Sequence, residues 1–241
     1  MGKLKLILLV SIILVTSHAW CQSESPESPA DEAIQLQLLS DGRKLLDAKK
    51  PAEAITECFD KVIINFKAKY GDQKEQIYCA RTKTETLMYL LMASNEKRNA
   101  KAISAVWSGA YFMKGYALID LGRISEAKNY IEQALILSPN NSEYLSELGH
   151  IYQVEKNWPK SLETFKAAED AASSFSPEEN KKLELGRARR GLGYVFVEMG
   201  QLDKAEEKYR QCVEADPADG KAKAELEYIR KLKSKMNNLG N

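Results

Sequence analysis

The chain has 241 residues, a formal net charge of +1 and two histidines. Basic and acidic residues number 35 and 34, so the chain lacks the basic excess of a nucleic-acid-binding protein. Hydrophobic residues make up 44% and charged residues 29%, which is the balance of a folded globular chain and excludes wholesale disorder. With two histidines, one of them in the leader segment described next, a multi-histidine zinc site is excluded as well.

The first residues follow the pattern of a secretory signal. Lys3 and Lys5 precede an apolar run from Leu6 to Val15. Ser17 and Ala19 then supply the small side chains that suit cleavage after Ala19. The apolar run is shorter than the stretch of about 20 residues that a membrane span needs. The pattern therefore predicts export rather than a span.

We expect a signal peptide over residues 1–21, with cleavage after Ala19 or Cys21, and a periplasmic or secreted protein without a membrane span in its mature chain. An uncleaved anchor is one alternative. Lipidation of Cys21 is another, although Trp20 suits a lipoprotein cleavage position poorly. Residues 22–31 are rich in Ser, Pro and Glu and are expected to form a disordered linker, because they have too little apolar surface to offset the entropy of ordering.

The rest of the chain has helical periodicity, no convincing alternating strand pattern, and an internal repeat. The segment LGRISEA at 121–127 recurs as MGQLDKA at 199–205. Likewise LGHIY at 148–152 is similar to LGYVF at 192–196. Gly115 precedes Gly149 by 34 positions, and prolines close two of the units. This period and these residue types resemble the tetratricopeptide repeat, a helix–turn–helix unit.

The resemblance covers three units: 108–141, 142–175 and 186–219. The matching positions are Tyr111, Gly115, Leu118, Ala127, Ile131, Ala134 and Pro139; Leu145, Leu148, Gly149, Tyr152, Phe165 and Ala168; and Leu192, Gly193, Phe196, Ala205, Tyr209, Cys212 and Pro217. The units depart from the family pattern at Ser161, Ser173 and Arg189. The resemblance implies an all-α fold, a right-handed superhelical solenoid of helix–turn–helix repeats.

The second and third units are spaced irregularly, because Gly149 and Gly193 are 44 residues apart, ten more than the period. Ser176 and Pro177, followed by two glutamates, are typical of a helix start with a capping serine. We therefore expect the first helix of the last unit to be lengthened at its front by two turns or more.

Both flanks of the repeats are predicted to be helical. Residues 32–107 are interpreted as a degenerate repeat plus an inserted helix, with helices over 34–48, 51–67 and 78–93 and a further helix beginning at Ala100. Residues 220–236 are expected to form a capping helix with a solvated outer face, and residues 237–241 a frayed tail. The basic face of that helix could instead contact anionic lipid, but Glu225 and Glu227 interrupt it.

Two cysteines lie in successive predicted helices, and an exported protein can form disulfides. If those helices pack at the usual distance, the Cα atoms of Cys58 and Cys79 are at the limit of what a disulfide spans. The sequence therefore does not decide whether Cys58 and Cys79 form a disulfide. Cys212 occupies a small-residue position of its unit and is predicted to be a buried thiol.

The resemblance also implies a concave groove lined by the first helix of each unit, with ligand contacts at fixed positions of the repeat. In this chain those positions give Phe112, Tyr116, Ser146, His150, Gln153, Arg187, Arg190 and Tyr194. Tyr116, His150 and Tyr194 form one column of aromatic side chains with polar tips, a type found at binding hot spots. The alternative is that they pack between repeats or are merely exposed to solvent. Arg187 and Arg190 could receive a carboxylate.

A subfamily of these proteins holds a C-terminal carboxylate with Asn and Lys at two of these positions. The chain has neither, so that ligand type is not expected. There is also no glycine-rich phosphate loop, nucleophile elbow or metal-ligand motif in the sequence, so we predict neither an enzyme nor a cofactor or metal.

The prediction is a non-enzymatic protein–protein interaction module of the cell envelope, an adaptor or assembly factor that binds a peptide or helix in its groove. The alternative is a structural, self-associating scaffold whose oligomer interface is region 32–107. An exposed apolar stripe from Leu87, Tyr89, Leu90 and Leu91 would favour that alternative.

Overall fold

The structure is a computed structural model that describes the backbone of residues 29–239 and the side chains of residues 30–236. The predicted signal peptide at 1–21, linker residues 22–28 and residues 240–241 of the predicted tail lie outside the described residues. The elements in chain order are α1 (Pro29–Asp47), α2 (Pro51–Ala54), a π-helical turn (Ile55–Phe59), α3 (Asp60–Tyr70), β1 (Gln76–Ala80), α4 (Lys83–Asn95), β2 (Ala100–Ser104), α5 (Val106–Asp120), α6 (Ile124–Leu137), α7 (Ser142–Val154), α8 (Trp158–Ser174), α9 (Glu178–Glu198), α10 (Leu202–Ala215) and α11 (Gly220–Leu239). Residues 29–31, the end of the predicted linker, are helical instead.

The predicted repeats are helix hairpins stacked side by side. Helix α5 packs on α6, α7 on α8 and α9 on α10, and each hairpin contacts the next. The repeated Leu-Gly and Met-Gly pairs mark the turns inside the first and last hairpins. Gly122 and Gly200 have φ angles of +73° and +71° there, a conformation that glycine adopts without steric cost. The fold is therefore a tetratricopeptide solenoid, as the sequence predicted.

Helix α9 has 21 residues against 13 in α7, which confirms the lengthening at its front. The expected role of Ser176 is wrong, however. The helix begins after Pro177 without a side-chain cap, and the Ser176 hydroxyl donates instead to the carboxylate of Glu184, two turns further along. The hydroxyl therefore serves a tertiary contact rather than the free N–H groups of the helix end.

The N-terminal region contains a feature that helical periodicity does not predict. Strands β1 and β2 form a parallel two-stranded sheet, with Gln76 opposite Ala100 and Ala80 opposite Ser104. The predicted helix over 78–93 is thus wrong in its first part, because α4 begins only at Lys83. The predicted helix start at Ala100 is wrong as well, since α5 begins at Val106.

Local chemistry explains why the chain changes from strand to helix at this point. The side chain of Thr82 accepts a hydrogen bond from the backbone N–H of Glu85 at 3.1 Å and so caps α4. Upstream of this cap, Ile77, Tyr78 and Cys79 are all buried, as expected for a strand covered on both faces. The hydroxyl of Ser138, at the end of α6, donates to the carbonyl of Cys79 at 2.7 Å and fixes β1 against the first repeat.

A buried ionic cluster ties the segment 76–104, which we call the strand insert, to the front of α9. The Arg81 guanidinium lies 2.7 Å from the Glu85 carboxylate and 2.8 Å from that of Glu184. The Glu85 and Glu184 side chains are only 2% and 7% exposed. The extra turns of α9 therefore provide the surface on which the strand insert is anchored.

Cys58 and Cys79, whose pairing the sequence left open, are not bridged in the structure. Cys58 is a buried free thiol at the π-helical turn, and Cys79 lies on β1 rather than on a helix packed beside it. The two cysteines thus do not lie on two adjacent packed helices, which was the arrangement that brought their Cα atoms within reach of a disulfide. Cys212 is buried in the last repeat, as predicted, and burial raises the pKa of its thiol to about 11.

An apolar core extends over α1 to α3 and α5 to α7 and includes the stacked rings of Phe66 and Trp107, whose centroids are 5.8 Å apart. The buried residues of α4, Tyr89 and Ala93, form a separate cluster with Tyr78 and Ala80 of β1. A second cluster joins α8 through α11 around Phe165 and Tyr209. Helix α11 packs on α10 with Ala222 and Ile229 buried. Within residues 29–239, no helix combines the length and apolar character that crossing a membrane requires.

Candidate functional site

An open groove of about 810 Å³ lies along the first helices of the repeats. Helices α5, α7 and α9 form most of its surface, and α11 extends it beyond the last hairpin. The lining residues are Tyr116, Ser146, Glu147, His150, Gln153, Val154, Phe165, Leu183, Arg187, Arg190, Gly191, Tyr194, Tyr209, Lys221 and Glu225.

The structure brings seven of the eight predicted site residues to this groove. Tyr116 and Tyr194 are 41% and 42% exposed, and His150 between them is exposed as well. The predicted aromatic column thus presents its side chains to the groove from three successive hairpins. The indole of Trp158 lies beside Tyr194, with ring centroids 6.3 Å apart, and supports that ring from one side.

Phe112 is the predicted site residue that does not line the groove. Its ring is only 3% exposed and stacks on Tyr144, with centroids 4.5 Å apart. It borders a smaller pocket of about 190 Å³ next to Arg43 and Asp47. Its position in the repeat faces the groove in other units, but here the stacking draws the ring into the core.

A short hydrogen-bonded chain orders the middle of the groove. The amide nitrogen of Gln153 donates to the carbonyl of Gly191 at 3.2 Å and so joins α7 to α9. The amide oxygen of Gln153 lies 3.1 Å from Nδ1 of His150. Because an amide oxygen can only accept, the contact is a hydrogen bond in the tautomer that carries its proton on Nδ1. This pairing fixes the orientation of the exposed imidazole.

The two arginines predicted to receive a carboxylate already lie next to carboxylates of this chain. The Arg190 guanidinium is 2.5 Å from Asp219, whose side chain is 8% exposed. Arg187 lies 3.4 Å from Glu143 and 4.0 Å from Glu147. An incoming acidic group would have to compete with these internal partners, and binding of a carboxylate by the two arginines stays a prediction.

The floor of the groove contains one buried polar group without a hydrogen-bond partner among the described residues, the Ser146 hydroxyl. Ser146 is 2% exposed. Glu147 follows it in α7, with a side chain that is 12% exposed. Burial raises the pKa of the Glu147 carboxyl, although the charges of Arg187 and His150 oppose the shift. A desolvated carboxylate and an unsatisfied hydroxyl thus lie side by side in the sequence and line one cleft.

Sequence reasoning missed four residues that give the groove its chemistry: Glu147, Leu183, Lys221 and Glu225. Leu183 belongs to the added turns of α9 and is 67% exposed. Lys221 and Glu225 belong to α11, which was interpreted only as a cap. Extending the repeat pattern by one more first helix into α11 would have found the last two.

The groove rests on a close contact between α8 and α9. A Cβ atom built on Gly191 would lie 2.2 Å from the ring of Phe165, so only glycine allows this approach. Within the described residues, no group of three or more His, Cys, Asp or Glu side chains is placed to hold a metal ion.

Comparison with known families agrees with this geometry. Two family models, both described as tetratricopeptide repeat, match residues 108–141 and 141–218. Residues 108–218 are therefore tetratricopeptide repeats, and the solenoid they build is of the class that the sequence resembles.

A human protein, RNA polymerase II-associated protein 3, is 30% identical over 133 residues, which are 53% of this chain and 20% of that protein. The chain thus spans about a fifth of the length of this curated relative. The structure of MamA from Desulfovibrio magneticus RS-1 aligns over 83% of this chain and 85% of that one, with a TM-score of 0.53 and 17% identity. The first TPR of Spaghetti, solved with a bound HSP90 peptide, aligns over 55% of this chain and 97% of that one, with a TM-score of 0.48 and 17% identity.

Proposed function

We propose that this protein is a non-enzymatic interaction module that binds a peptide or helix of a protein partner in the groove. One observation carries the proposal: Tyr116, His150 and Tyr194 come from three successive hairpins and are all exposed in the same open groove. Exposed aromatic side chains with polar tips offer a large contact area at little cost in conformational entropy. The tetratricopeptide repeats of residues 108–218 support the same class of function by analogy.

The partner class follows from the shape and composition of the groove. It runs across three first helices and α11, so it suits an extended segment or a helix better than a compact metabolite. Its walls mix exposed apolar side chains such as Leu183 and Val154 with charged ones. Such a mixture fits an amphipathic protein segment.

The test is affinity capture with the Tyr116/His150/Tyr194→Ala triple variant. We expect wild type to retain a partner that the triple variant loses. The matched control is the Ile136/Lys166/Arg210→Ala triple variant, whose three exposed residues lie on the second helices and do not line the groove. The control should retain the partner. Circular dichroism and thermal melting establish that all three proteins fold alike, and equal recovery by all three would contradict the groove assignment.

We further propose that the protein acts in the cell envelope or outside the cell after export. The support is the sequence of residues 1–19, with its basic start, short apolar run and small residues before Ala19. Mass spectrometry of the native protein tests this. A mature N-terminus at Trp20 or Gln22 in an envelope or secreted fraction is expected. An intact Met1 in the cytoplasmic fraction would contradict export.

A second candidate function is self-association through α4. Leu87, Leu90 and Leu91 are 59%, 37% and 48% exposed and form an apolar face on this helix, whereas Tyr89 is buried against Tyr78. Three of the four residues whose exposure would favour self-association are thus on the surface. Sedimentation velocity of wild type and a Leu87→Ser/Leu91→Ser variant tests this candidate: a dimer lost in the variant supports it, and a monomeric wild type contradicts it.

A further inference from the structure

The strongest unexplained chemistry in the molecule is at the floor of the groove. Charges that line a binding groove are informative when they lack partners, because a desolvated and unpaired charge is costly. In this groove the two arginines have carboxylate partners within 3.4 Å, whereas the carboxylate of Glu147 lies 4.0 Å from its nearest cation. This difference in pairing indicates the charge that the occupant of the groove should have.

The two groove arginines are largely neutralised within the chain. Arg190 is 2.5 Å from Asp219, and Arg187 is 3.4 Å from Glu143. On α11, Lys221 and Glu225 have opposite charges one turn apart, so that end of the groove contributes no net charge. The positive side chains therefore have little charge left unpaired that an acidic partner could neutralise.

Glu147 has only a distant cation partner, Arg187. Its side chain is 12% exposed, and the nearest cation, Arg187, is 4.0 Å away and closer to Glu143. Apart from this ion pair, Glu147 has no close polar contact among the described residues, and the hydroxyl of the neighbouring buried Ser146 has no hydrogen-bond partner there. The carboxylate can only accept hydrogen bonds, whereas the hydroxyl can donate or accept, so a hydrogen-bond donor would suit both groups.

The surroundings of Glu147 suit a cationic donor. Tyr116 and Tyr194 present half-exposed rings to the same groove, and aromatic faces attract lysine and arginine side chains. We propose that the groove selects partner segments that carry a lysine or arginine side chain, and that Glu147, assisted by Ser146, receives that side chain. This inference rests on the proposed function of the groove and adds the chemistry of the partner to it.

The test starts from a display library of 12-residue peptides randomised at every position and selected on the full protein. Wild type should enrich peptides that contain Arg or Lys next to apolar residues. The Glu147→Gln variant should lose this preference, because glutamine keeps the shape of the side chain and removes its charge. The matched control is Glu163→Gln on α8, an exposed glutamate outside the groove, which should enrich the same peptides as wild type.

Fluorescence anisotropy with one enriched peptide then measures the pairing directly. Replacing its basic residue by norleucine should weaken binding to wild type about tenfold. The same replacement should hardly weaken binding to Glu147→Gln, which has already lost the interaction. This non-additivity is what a double-mutant cycle shows for residues in contact. A Ser146→Ala variant should weaken binding less than Glu147→Gln. Equal circular dichroism and melting temperatures exclude misfolding, and if Glu147→Gln is unstable, Glu147→Met, which also removes the charge, serves as the second variant.

The outcomes separate this inference from the function on which it rests. Enrichment of acidic peptides, or of basic ones equally by wild type and Glu147→Gln, would overturn the role of Glu147 and leave groove binding intact. If no peptide is enriched by any of the proteins, groove binding and this inference are both overturned.

Discussion

The repeats and the strand insert are stabilised in different ways. In residues 108–218, each helix packs mainly on its neighbours along the chain. In the strand insert, Ser138 reaches the Cys79 carbonyl across 59 positions, and Arg81 reaches Glu184 across 103. Local periodicity therefore predicts the repeats, whereas the strand insert depends on contacts that no local pattern contains.

This contrast has a thermodynamic side. In a repeat array, stability is approximately a sum of terms within and between neighbouring units. A segment anchored through one buried ionic cluster depends instead on a single set of groups. Substitutions in the two regions should consequently differ in how much unfolding free energy they cost and in which part of the chain they destabilise.

The largest effect is expected at Phe165, which joins α7, α8 and α9 and is 3% exposed. Phe165→Ala should lower the free energy of unfolding by about 3–5 kcal/mol, because it removes a large buried ring and leaves a cavity. Urea unfolding followed by circular dichroism measures the change. A loss below about 1 kcal/mol would show that the hairpins do not share one core at this position.

The next effect tests the anchor of the strand insert. Arg81→Met should cost about 3 kcal/mol, because it leaves the carboxylates of Glu85 and Glu184 buried without their cation. Hydrogen exchange should accelerate most within 76–104. The control is Arg98→Met, whose ion pair with Glu96 is about half exposed and should contribute almost nothing. Uniform acceleration across the repeats would contradict the separation of the two regions.

A smaller effect is expected at the junction of β1 and α4. Thr82→Ala removes the side chain that caps α4 and should cost about 1 kcal/mol in unfolding free energy. Thr82→Ser keeps the hydroxyl and should recover most of this loss. If Thr82→Ala and Thr82→Ser unfold at the same urea concentration, the cap does not stabilise the helix.

The smallest effect depends on pH and lies within the repeats. Burial alone would raise the pKa of Glu169, but hydrogen bonds from Lys208 at 2.6 Å and Arg189 at 3.0 Å outweigh it, so the pKa falls below its ordinary value of 4.5. A carboxyl with a lowered pKa in the folded state stabilises the protein above pH 4.5 and loses that effect as the pH falls through the lowered value. Because these groups are partly exposed, the contribution should be about 1 kcal/mol or less.

Unfolding of wild type and Glu169→Gln between pH 3 and 7 tests this. The stability difference should be largest near neutral pH and should close as the solution becomes more acidic than the ordinary pKa of the carboxyl. The exposed Glu163→Gln serves as the control and should match wild type throughout. A gap that widens in acid would show that the sign of the shift is wrong.

The outcome of sequence reasoning follows the same division. The 34-residue spacing predicts the hairpins, and the ten additional residues predict the long α9, because helices and their ends are encoded by neighbouring residues. The strands were missed, although Thr82 and Glu85 form a helix-start pattern that places the beginning of α4 after Tyr78 rather than at it. Which element pairs with β1 is a tertiary property that this pattern does not contain.

At the groove, the repeat positions of Tyr116, His150 and Tyr194 predicted which side chains would share one surface, since every first helix has the same orientation. They did not predict which charges would already be paired. The partners of Arg187 and Arg190 come from α7 and from the residue before α11, and Glu147 is significant because its nearest cation is distant. Whether these residues bind a partner remains a prediction.

Because Arg81 pairs with a residue 103 positions later, the order of synthesis determines when this contact can form. A chain emerging from its N-terminus exposes β1 early, but β2 lies 24 positions later, and Ser138 and Glu184 follow further on. Non-local contacts of this kind form late, because the intervening chain must first be ordered. The segment 76–104 should therefore stay unfolded until residue 184 has been synthesised. In nascent chains that end before α9, a protease should cleave within 76–104, while the hairpin of α5 and α6 is already protected.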